Sequence, residues 1–322
     1  MAKIIGVGNA LVDVIVNLQN EEILKQFSLE KGGMEMIDSE RKREIHQALK
    51  NMSKASATGG STSNTIHGLA RLGIEAGYMG KVCDDEPGRF FQAEMERYKV
   101  TPHLMYSDID TGIATTFMTP DAERTFATYL GAAATMTAAE INPEIFKDYD
   151  YLYIEGYLIF NHELVQKLCE IADQYHLKVA MDFGSYNIVE DHFEFLKDIL
   201  RRYVDIIFAN EEEAKAFTGK EGAEALSVLA EYCPISIVKL GKHGSIVNVN
   251  GEVVEIPPYE AQRIDTNGAG DIYASGFMYG LMKGYDTQRC GYIATRLSAA
   301  IIETVGAKLT DEQWEKLLPE VR

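Results

Sequence analysis

The alternation of strand and helix patterns in the second half of the chain restricts its fold more than any other feature. From residue 151 onward, short apolar runs alternate with longer stretches in which apolar residues recur at helical spacing. Repeated strand–helix units predict a mostly parallel sheet with helices on both faces. The predicted strands are 151–155, 178–182, 206–209 and 235–240, and the predicted helices are 162–176, 193–201, 211–217 and 223–232.

Two stretches interrupt this alternation. Residues 111–118 and 124–129 are strand-like on either side of a turn at 120–123, which predicts a β-hairpin. Residues 17–38 are irregular, with short strand-like pieces. A second hairpin is predicted over 244–256. The 322 residues show no internal repeat and no low-complexity linker.

Composition excludes several classes of protein. The formal net charge of -18 argues against binding to nucleic acid or to an anionic membrane surface. The four cysteines are far apart and form no CxxC pair, which argues against a zinc site and fits a reducing compartment. The sequence enters a strand pattern directly, without the apolar region of a signal peptide, and no apolar run approaches the ~20 residues of a membrane span. We therefore expect a cytoplasmic protein.

The glycine-rich heptapeptide DTNGAGD at 265–271 is the strongest candidate site. Gly268 and Gly270 flank Ala269, and an apolar stretch at helical spacing follows. Small residues at a helix N-terminus leave backbone N–H groups free to bind an anion. A carboxylate there suits a base that acts on a neutral group attacking a bound phosphate, which is the role predicted for Asp271. The alternative is a simple turn and helix cap.

Two further features point to a ligand. Residues 58–65 form a second loop of glycines and hydroxyl residues before a helical pattern, where Asn64 could bind a ligand close to the backbone. An ordinary turn and N-cap is the alternative. Asp13 lies within the apolar run 10–16, so it needs a partner or a ligand if it is buried. The alternative is that Asp13 faces solvent on a half-exposed strand.

Other signatures are absent or less specific. Gly6 and Gly8 form a GxG without the third glycine of a dinucleotide fingerprint, and the chain has no P-loop, GxSxG or HExxH. The sequence Asn-Glu-Glu-Glu at 210–213 follows a strand and begins a helix, where three carboxylates favour the helix dipole. The sharper interpretation is that Asn210 and Glu213 organise Mg²⁺ or its water ligands.

The motifs together resemble those of the ribokinase (PfkB) family of carbohydrate and nucleoside kinases over nearly the whole chain. The matching segments are 265–271, the glycine motif at 59–64 and the Asn-x-x-Glu motif at 210–213. Within the family, the sequence is most similar to the adenosine-kinase branch at 59–62, Asn267 and 129–132. The resemblance implies one ribokinase-like α/β domain over 1–322, with a central, mostly parallel sheet, helices on both faces and a small β-sheet lid from segments of about 14–38 and 105–130.

The resemblance also implies the roles of particular residues. Asp271 would deprotonate a primary hydroxyl that attacks the γ-phosphate of ATP, and the N–H groups of Gly268, Ala269 and Gly270 would stabilise the transferred phosphoryl group. Arg124 would swing toward the phosphates, unless it is a solvated arginine in a turn. Implied acceptor-binding residues are Asp13, Gly59, Gly60, Asn64 and Glu155, and implied ATP-binding residues are Asn210, Glu213, Lys239, Gly241, Gly244 and Thr266.

Two cations are implied by the same resemblance. Asn210 and Glu213 would order Mg²⁺ through water. Many family members also bind a monovalent cation beside the anion hole, and this chain would bind K⁺ there. The matching ligands are Asp265, the carbonyls of Asn267, Ile301, Thr304 and Gly306, and the hydroxyl of Thr310.

The expected function is therefore ATP-dependent phosphorylation of a primary hydroxyl on a nucleoside such as adenosine or on a free sugar such as ribose or fructose. A kinase specific for free sugars is one alternative. A protein that binds a sugar or nucleotide without catalysis is another, although Asp271 and the uninterrupted glycine loop argue against it. The expected partners are small molecules, not nucleic acid or membrane, and the protein would be a monomer or a homodimer formed through the lid.

Overall fold

The computed structural model describes residues 2–121 and 123–322, so Ala122 in the predicted 120–123 turn lies outside the described residues. Over those residues the chain forms fourteen strands and twelve α-helices. The strands are β1 (Lys3–Val7), β2 (Leu11–Asn17), β3 (Met34–Met36), β4 (Lys54–Gly59), β5 (Glu75–Cys83), β6 (Val100–Ser107), β7 (Gly112–Met118), β8 (Arg124–Tyr129), β9 (Tyr151–Ile154), β10 (Lys178–Asp182), β11 (Val204–Asn210), β12 (Ile235–Lys239), β13 (Ser245–Val249) and β14 (Glu252–Ile256).

The helices bear out most of the predicted alternation. They are α1 (Glu22–Gln26), α2 (Ser39–Ala48), α3 (Ser61–Leu72), α4 (Glu86–Arg97), α5 (His162–Tyr175), α6 (Tyr186–Asp191), α7 (Phe193–Tyr203), α8 (Glu211–Thr218), α9 (Gly222–Leu229), α10 (Ala269–Met282), α11 (Thr287–Ile302) and α12 (Asp311–Val321). The sequence prediction missed α6, whose six residues are too few to establish a helical period. No helix in the described part of the chain is long and apolar enough to cross a bilayer.

The large sheet confirms the predicted α/β class. Its nine strands are ordered β14-β13-β12-β11-β10-β9-β1-β5-β6. Seven of them run parallel, and the hairpin β13–β14 is added antiparallel at one edge. One face packs on α3, α10, α11 and α12, and the other packs on α5, α7, α8 and α9. The carboxyl ends of the parallel strands therefore all lie at the same end of the sheet, which we call its carboxyl edge. Ligands bind there in sheets of this kind.

A second sheet of five strands, ordered β3-β8-β7-β2-β4, contains the predicted hairpin β7–β8. Its membership differs from the predicted segments of about 14–38 and 105–130. β4 also belongs to it, whereas residues 105–107 lie in β6 of the large sheet. β4 is an edge strand, and only its last two residues are buried. Its residues are therefore mostly small or polar, and the sequence shows no apolar run that would predict a strand there.

The two faces of this second sheet have different neighbours. Side chains such as Val16 and Phe117 pack against Leu24 of α1 and Ile45 of α2. Because side chains alternate along a strand, Ile15 and Thr116 point to the opposite face, where they line a cavity. The second sheet is thus covered by helices outside and faces the large sheet inside.

The packing of α10 on α11 gives a test of this fold. A Cβ at Gly276 of α10 would lie 2.7 Å from Cα of Ala294 in α11. We expect Gly276→Val to lower the free energy of unfolding by about 2–3 kcal/mol, because the closely packed helices must separate. Denaturant unfolding measures this change. The control is Gln288→Val at an exposed position of α11, which should stay within ~0.5 kcal/mol of the wild type. Equal stability of the two variants would contradict the close approach.

Candidate active site

Two glycine loops meet above the carboxyl edge of the large sheet. Gly60 has φ 91° immediately before α3, and Gly268 has φ 73° immediately before α10. Side chains other than glycine rarely adopt these dihedral angles. A Cβ at Gly268 would also lie 2.9 Å from the backbone of Ala307, and one at Gly59 would overlap the carboxylate of Asp13. The glycines therefore allow both helix N-termini to reach the same point.

Asp271 lies where these two helix N-termini meet. Its Oδ1 accepts a hydrogen bond from Ser61 Oγ at 2.7 Å, and its Oδ2 accepts one from Asn64 Nδ2 at 2.9 Å. Burial raises the pKa of Asp271 to about 6, although these two hydrogen bonds favour the charged form. A carboxyl group with such a pKa is ionised near neutral pH and is a stronger base than an exposed aspartate.

The backbone before α10 supplies N–H groups next to this carboxylate. The N–H of Ala269 donates to the carbonyl of Thr266 at 3.2 Å, and the first helical bond runs from Ile272 to Gly268. Gly268 and Gly270 donate no backbone hydrogen bond in the part of the chain that the structure describes. Of the three N–H groups predicted for an anion hole, two are therefore free and that of Ala269 is engaged.

Lys239 lies directly beside the glycine loop. Its Nζ is 2.9 Å from Asp182 Oδ2, and a Cβ at Gly270 would lie 3.2 Å from the same Nζ. Burial favours the neutral amine, but the carboxylates of Asp182 and Glu213 hold the pKa of Lys239 above its usual value. The glycine loop thus has a permanent positive charge within reach of any anion that it binds.

Asn210 and Glu213 form a reciprocal cap at the start of α8. The backbone N–H and Nδ2 of Asn210 each donate to Glu213 at 2.8 Å, and the Glu213 N–H donates to Asn210 Oδ1 at 2.9 Å. Burial and the nearby Asp182 raise the pKa of Glu213 to about 7. Both carboxylate oxygens retain a lone pair, so the pair fits Mg²⁺ held through water rather than directly. No group of three or more His, Cys, Asp or Glu residues that could hold a metal occurs among residues 2–121 and 123–322.

Three of the six predicted K⁺ ligands are engaged in contacts within the chain. Asp265 accepts hydrogen bonds from the N–H groups of Asn267 and Gly306, and it is paired with Arg124. The carbonyl of Ile301 accepts from both the N–H and the hydroxyl of Thr304. The hydroxyl of Thr310 caps α12 through Gln313. The carbonyls of Asn267, Thr304 and Gly306 are not among these engaged groups, so the feature that does not fit a coordinated K⁺ is the guanidinium paired with Asp265.

Arg124 is not the solvated turn residue that the sequence left as an alternative. It is the first residue of β8, and its side chain is only 11% exposed. Its guanidinium pairs with the carboxylate of Asp265, which precedes the glycine loop of the large sheet. The second sheet is therefore tied to the loop that contains the candidate base.

A cavity of about 110 Å³ lies between the second sheet and the loops that precede α10 and α12. Asp13 lines it, and burial raises the pKa of Asp13 to about 6. Lys308 lines it from the opposite side and donates to the hydroxyl of Thr58. Burial lowers the pKa of Lys308 to about 8. Asp13 is half-buried on β2, and its carboxylate lines this cavity instead of pointing into bulk solvent.

Glu155 and Asn64 lie at the N-terminal end of α3 and are not among the residues that line this cavity. Glu155 is 2% exposed and accepts hydrogen bonds from Asn9 Nδ2 at 2.6 Å and from the N–H of Thr62 at 3.2 Å. It therefore holds the N-terminus of α3 in place, and burial raises its pKa to about 7. Asn64 uses its amide nitrogen on Asp271, and its buried Oδ1 has no partner among the described residues. An unpaired acceptor next to the base is suited to a hydroxyl donor.

The remaining predicted residues lie at the far side of Lys239. Gly241 and Gly244 have φ 52° and 86° in the turn between β12 and β13. A Cβ at Gly241 would meet no atom closer than Glu211 Oε2 at 4.0 Å, so this backbone is open to a ligand. Thr266 is exposed in the loop before α10. These positions are compatible with a nucleotide along this edge of the sheet.

Sequence reasoning missed three residues of the site: Ser61, Asp182 and Lys308. The position of Asp182 at the end of a predicted strand is the sequence feature that could have identified it as a site residue. Its pairing with Lys239, however, depends on the order of β10, β11 and β12. Ser61 stood within a recognised glycine motif. Lys308 stood between the predicted K⁺ ligands Gly306 and Thr310, and no pattern distinguishes it from an exposed lysine.

Comparison with known proteins places the chain among sugar and nucleoside kinases. The model of the pfkB family of carbohydrate kinases matches residues 28–314. An uncharacterized sugar kinase of Archaeoglobus fulgidus is 28% identical over 251 residues, covering 75% of this chain and 96% of that protein. The 5-dehydro-2-deoxygluconokinase of Bacillus subtilis is 27% identical over 318 residues, covering 93% and 97%. The structure of adenosine kinase from Sinorhizobium meliloti has a TM-score of 0.87 at 28% identity and covers 99% of both chains.

A titration tests the hydrogen bonds to Asp271. With ¹³C-labelled aspartate, the carboxyl signal that disappears in Asp271→Asn should titrate near the pKa of about 6. Ser61→Ala should move this titration to higher pH by about one unit, because a hydrogen bond that stabilises the charged form is lost. Ser227→Ala, which removes an exposed hydroxyl from α9, is the control. An Asp271 signal that titrates near pH 4 in all proteins would contradict the geometry.

Proposed function

The chain belongs to the pfkB family of carbohydrate kinases, and we propose that it transfers the γ-phosphoryl group of ATP to a primary hydroxyl of a sugar. The main support is the position of Asp271. A buried carboxylate with a pKa of about 6 stands at a helix N-terminus whose free N–H groups and neighbouring lysine can bind phosphate oxygens. A base next to an anion site is the arrangement that phosphoryl transfer to an alcohol requires.

The proposed reaction begins with proton transfer. Asp271 accepts the proton of the primary hydroxyl while the hydroxyl oxygen forms a bond to the γ-phosphorus. The bond from that phosphorus to the bridging oxygen breaks, and ADP leaves with the electron pair. Because only ionised Asp271 can accept the proton, turnover should slow as the pH falls below about 6.

Fixed charges would stabilise the transferred phosphoryl group. The N–H groups of Gly268 and Gly270 and the nearby ammonium of Lys239 would lie around the place where negative charge develops. Asn210 and Glu213 would hold Mg²⁺ through water, and the bound ion would supply further neutralisation of phosphate charge. Gly241, Gly244 and Thr266 would contact the nucleotide at the open turn after β12.

Hydroxyl groups of the acceptor would bind in the cavity between the second sheet and the loops before α10 and α12. A carboxylate that accepts from two vicinal hydroxyls discriminates strongly, because an acceptor without them leaves Asp13 unpaired. The unpaired Oδ1 of Asn64, next to Asp271, and the backbone at Gly59 and Gly60 would bind acceptor hydroxyls outside this cavity. Residues of the second sheet would act as a lid that keeps water away from the phosphoryl group.

A free sugar is the acceptor that this cavity favours. Its described lining consists of Asp13, Arg124, Asn267, Lys308, two threonines and small or aliphatic residues, with no aromatic side chain to stack on a nucleobase. A nucleoside is the second candidate, because the Sinorhizobium meliloti adenosine kinase is 28% identical over nearly the whole chain.

The quaternary structure is constrained by the helices on the second sheet. α1 and α2 cover its outer face with Leu24, Phe27, Ile45 and Leu49. A homodimer that pairs these faces directly would have to displace both helices. We therefore favour a monomer over a homodimer formed through the lid.

A substrate panel tests the activity. With Mg-ATP, at least one pentose, hexose or sugar acid should give ADP faster than adenosine does, and Asp271→Asn should lower kcat by about 10²–10⁴-fold because the base is lost. ATP affinity, measured by calorimetry, should stay within about threefold of the wild type. Turnover with adenosine alone would favour the nucleoside. Absence of turnover with every acceptor, together with intact ATP binding, would favour the non-catalytic binding protein.

The role of Lys308 gives a second test. Lys308→Met should raise the KM for the acceptor about 10–100-fold, because the cavity loses a charged donor, while the KM for ATP stays unchanged. Steady-state kinetics with each substrate varied in turn measures both constants. Lys316→Met, which removes an exposed lysine from α12, is the matched control. An unchanged acceptor KM would place the acceptor elsewhere.

A further inference from the structure

The carboxylate of Asp265 has an unusual set of partners for a residue that the family resemblance assigns to a K⁺ site. Its Oδ1 accepts from the N–H of Asn267 at 2.9 Å, and its Oδ2 accepts from the N–H of Gly306 at 2.7 Å. The guanidinium of Arg124 pairs with the same Oδ2. The side chains of Arg124 and Asp265 are only 11% and 7% exposed. A positive charge from the chain itself therefore stands beside this carboxylate.

This pair connects three parts of the molecule. Arg124 begins β8 of the second sheet, Asp265 precedes the glycine loop, and Gly306 lies in the segment between α11 and α12. The bond from Asn267 to Asp265 shapes the turn that ends at Gly268, the N-cap of α10. The conformation of the free N–H groups at Gly268 and Gly270 thus depends on the position of the Asp265 carboxylate.

A buried carboxylate needs a compensating charge, and an arginine supplies one that does not depend on pH or on ion concentration. We propose that the guanidinium of Arg124 is the built-in cation of the phosphate-binding loop, so that this protein orders the loop without a bound monovalent cation. Arg124 is then a positioning residue that acts through Asp265. Its guanidinium lies beside the loop that contains Gly268 and Gly270 because the second sheet packs against that loop.

Nearby charged groups are consistent with this assignment. Burial lowers the pKa of Arg124, and the carboxylate of Asp13, which lines the same cavity, opposes this shift; Lys308 also lines the cavity and donates to Thr58. No other ion pair to Asp265 occurs in the described part of the chain. Removal of the guanidinium leaves the carboxylate with two N–H donors and no cation, which is a suitable place for a small monovalent ion.

The experiment compares the wild type, Arg124→Ala, Arg124→Lys and Lys31→Met. Lys31 forms exposed ion pairs with Glu21 and Asp121 beside the same hairpin, so it is the matched control for loss of a positive charge from the second sheet. Melting temperatures are measured in potassium chloride and in tetramethylammonium chloride at equal ionic strength. Turnover, whose interpretation rests on the proposed function, is measured with Mg-ATP and the best acceptor of the panel in the same salts.

We expect the wild type, Arg124→Lys and Lys31→Met each to have melting temperatures within about 1 °C in the two salts, and each to turn over at the same rate in both salts. Arg124→Ala should melt about 5–10 °C lower in tetramethylammonium chloride and should regain a few degrees specifically in potassium chloride. Its turnover should fall about 100-fold without potassium and recover about tenfold with it. The additional change Asp265→Asn should abolish this rescue.

Two outcomes would overturn the inference. One is a wild type whose melting temperature or turnover rises specifically with potassium, which would mean that a bound cation is present beside Arg124. The other is an Arg124→Ala protein that is indifferent to potassium in both measurements. If Arg124→Ala folds only in potassium chloride, its yield of folded protein in the two salts reports the same rescue. Loss of turnover in every protein, with the melting pattern intact, would refute the proposed function and leave the inference standing.

Discussion

Ser61 and Asn64, in the first turn of α3, hold the carboxylate of Asp271 at the N-terminus of α10. These two hydrogen bonds join helices that are about 200 residues apart in the sequence and that belong to the same face of the large sheet. Because a carboxylate shielded from solvent is costly without partners, these hydrogen bonds favour the meeting of the two helix N-termini at this point. The glycines before each helix allow that meeting.

Several charged side chains surround the carboxylate of Asp271. Asp182 and Glu213 hold Lys239 in its charged form beside Gly270, and Asp13 and Lys308 face each other in the neighbouring cavity. Burial raises the pKa of Asp13, Glu213 and Asp271, so each carboxyl group binds its proton more tightly in the folded state than in the unfolded one. The contribution of these three groups to stability should therefore fall as the pH rises from about 4 to about 7, which is the opposite of the usual carboxylate dependence.

Much of the fold was predictable because strands and helices alternate with a clear period. The predicted order of strands and helices after residue 151 and the hairpin β7–β8 are confirmed. β4 was missed because an edge strand with few buried residues has no apolar pattern, and α6 because it is too short to establish one. The glycine loops and Asp271 were found by their composition. Ser61, Asp182 and Lys308 were not, because each gains its position from contacts with residues distant in the sequence.

The sequence by itself determined the α/β class, the family and the two glycine loops, since local periodicity and glycine placement are properties of short segments. Only the tertiary structure decided which charges stand next to one another. The pairs Lys239–Asp182 and Arg124–Asp265 join residues 57 and 141 positions apart, and strand order and closure of the second sheet bring them together. For that reason Arg124, which the sequence placed either near phosphate or in solvent, pairs with Asp265, which the family resemblance had assigned to K⁺.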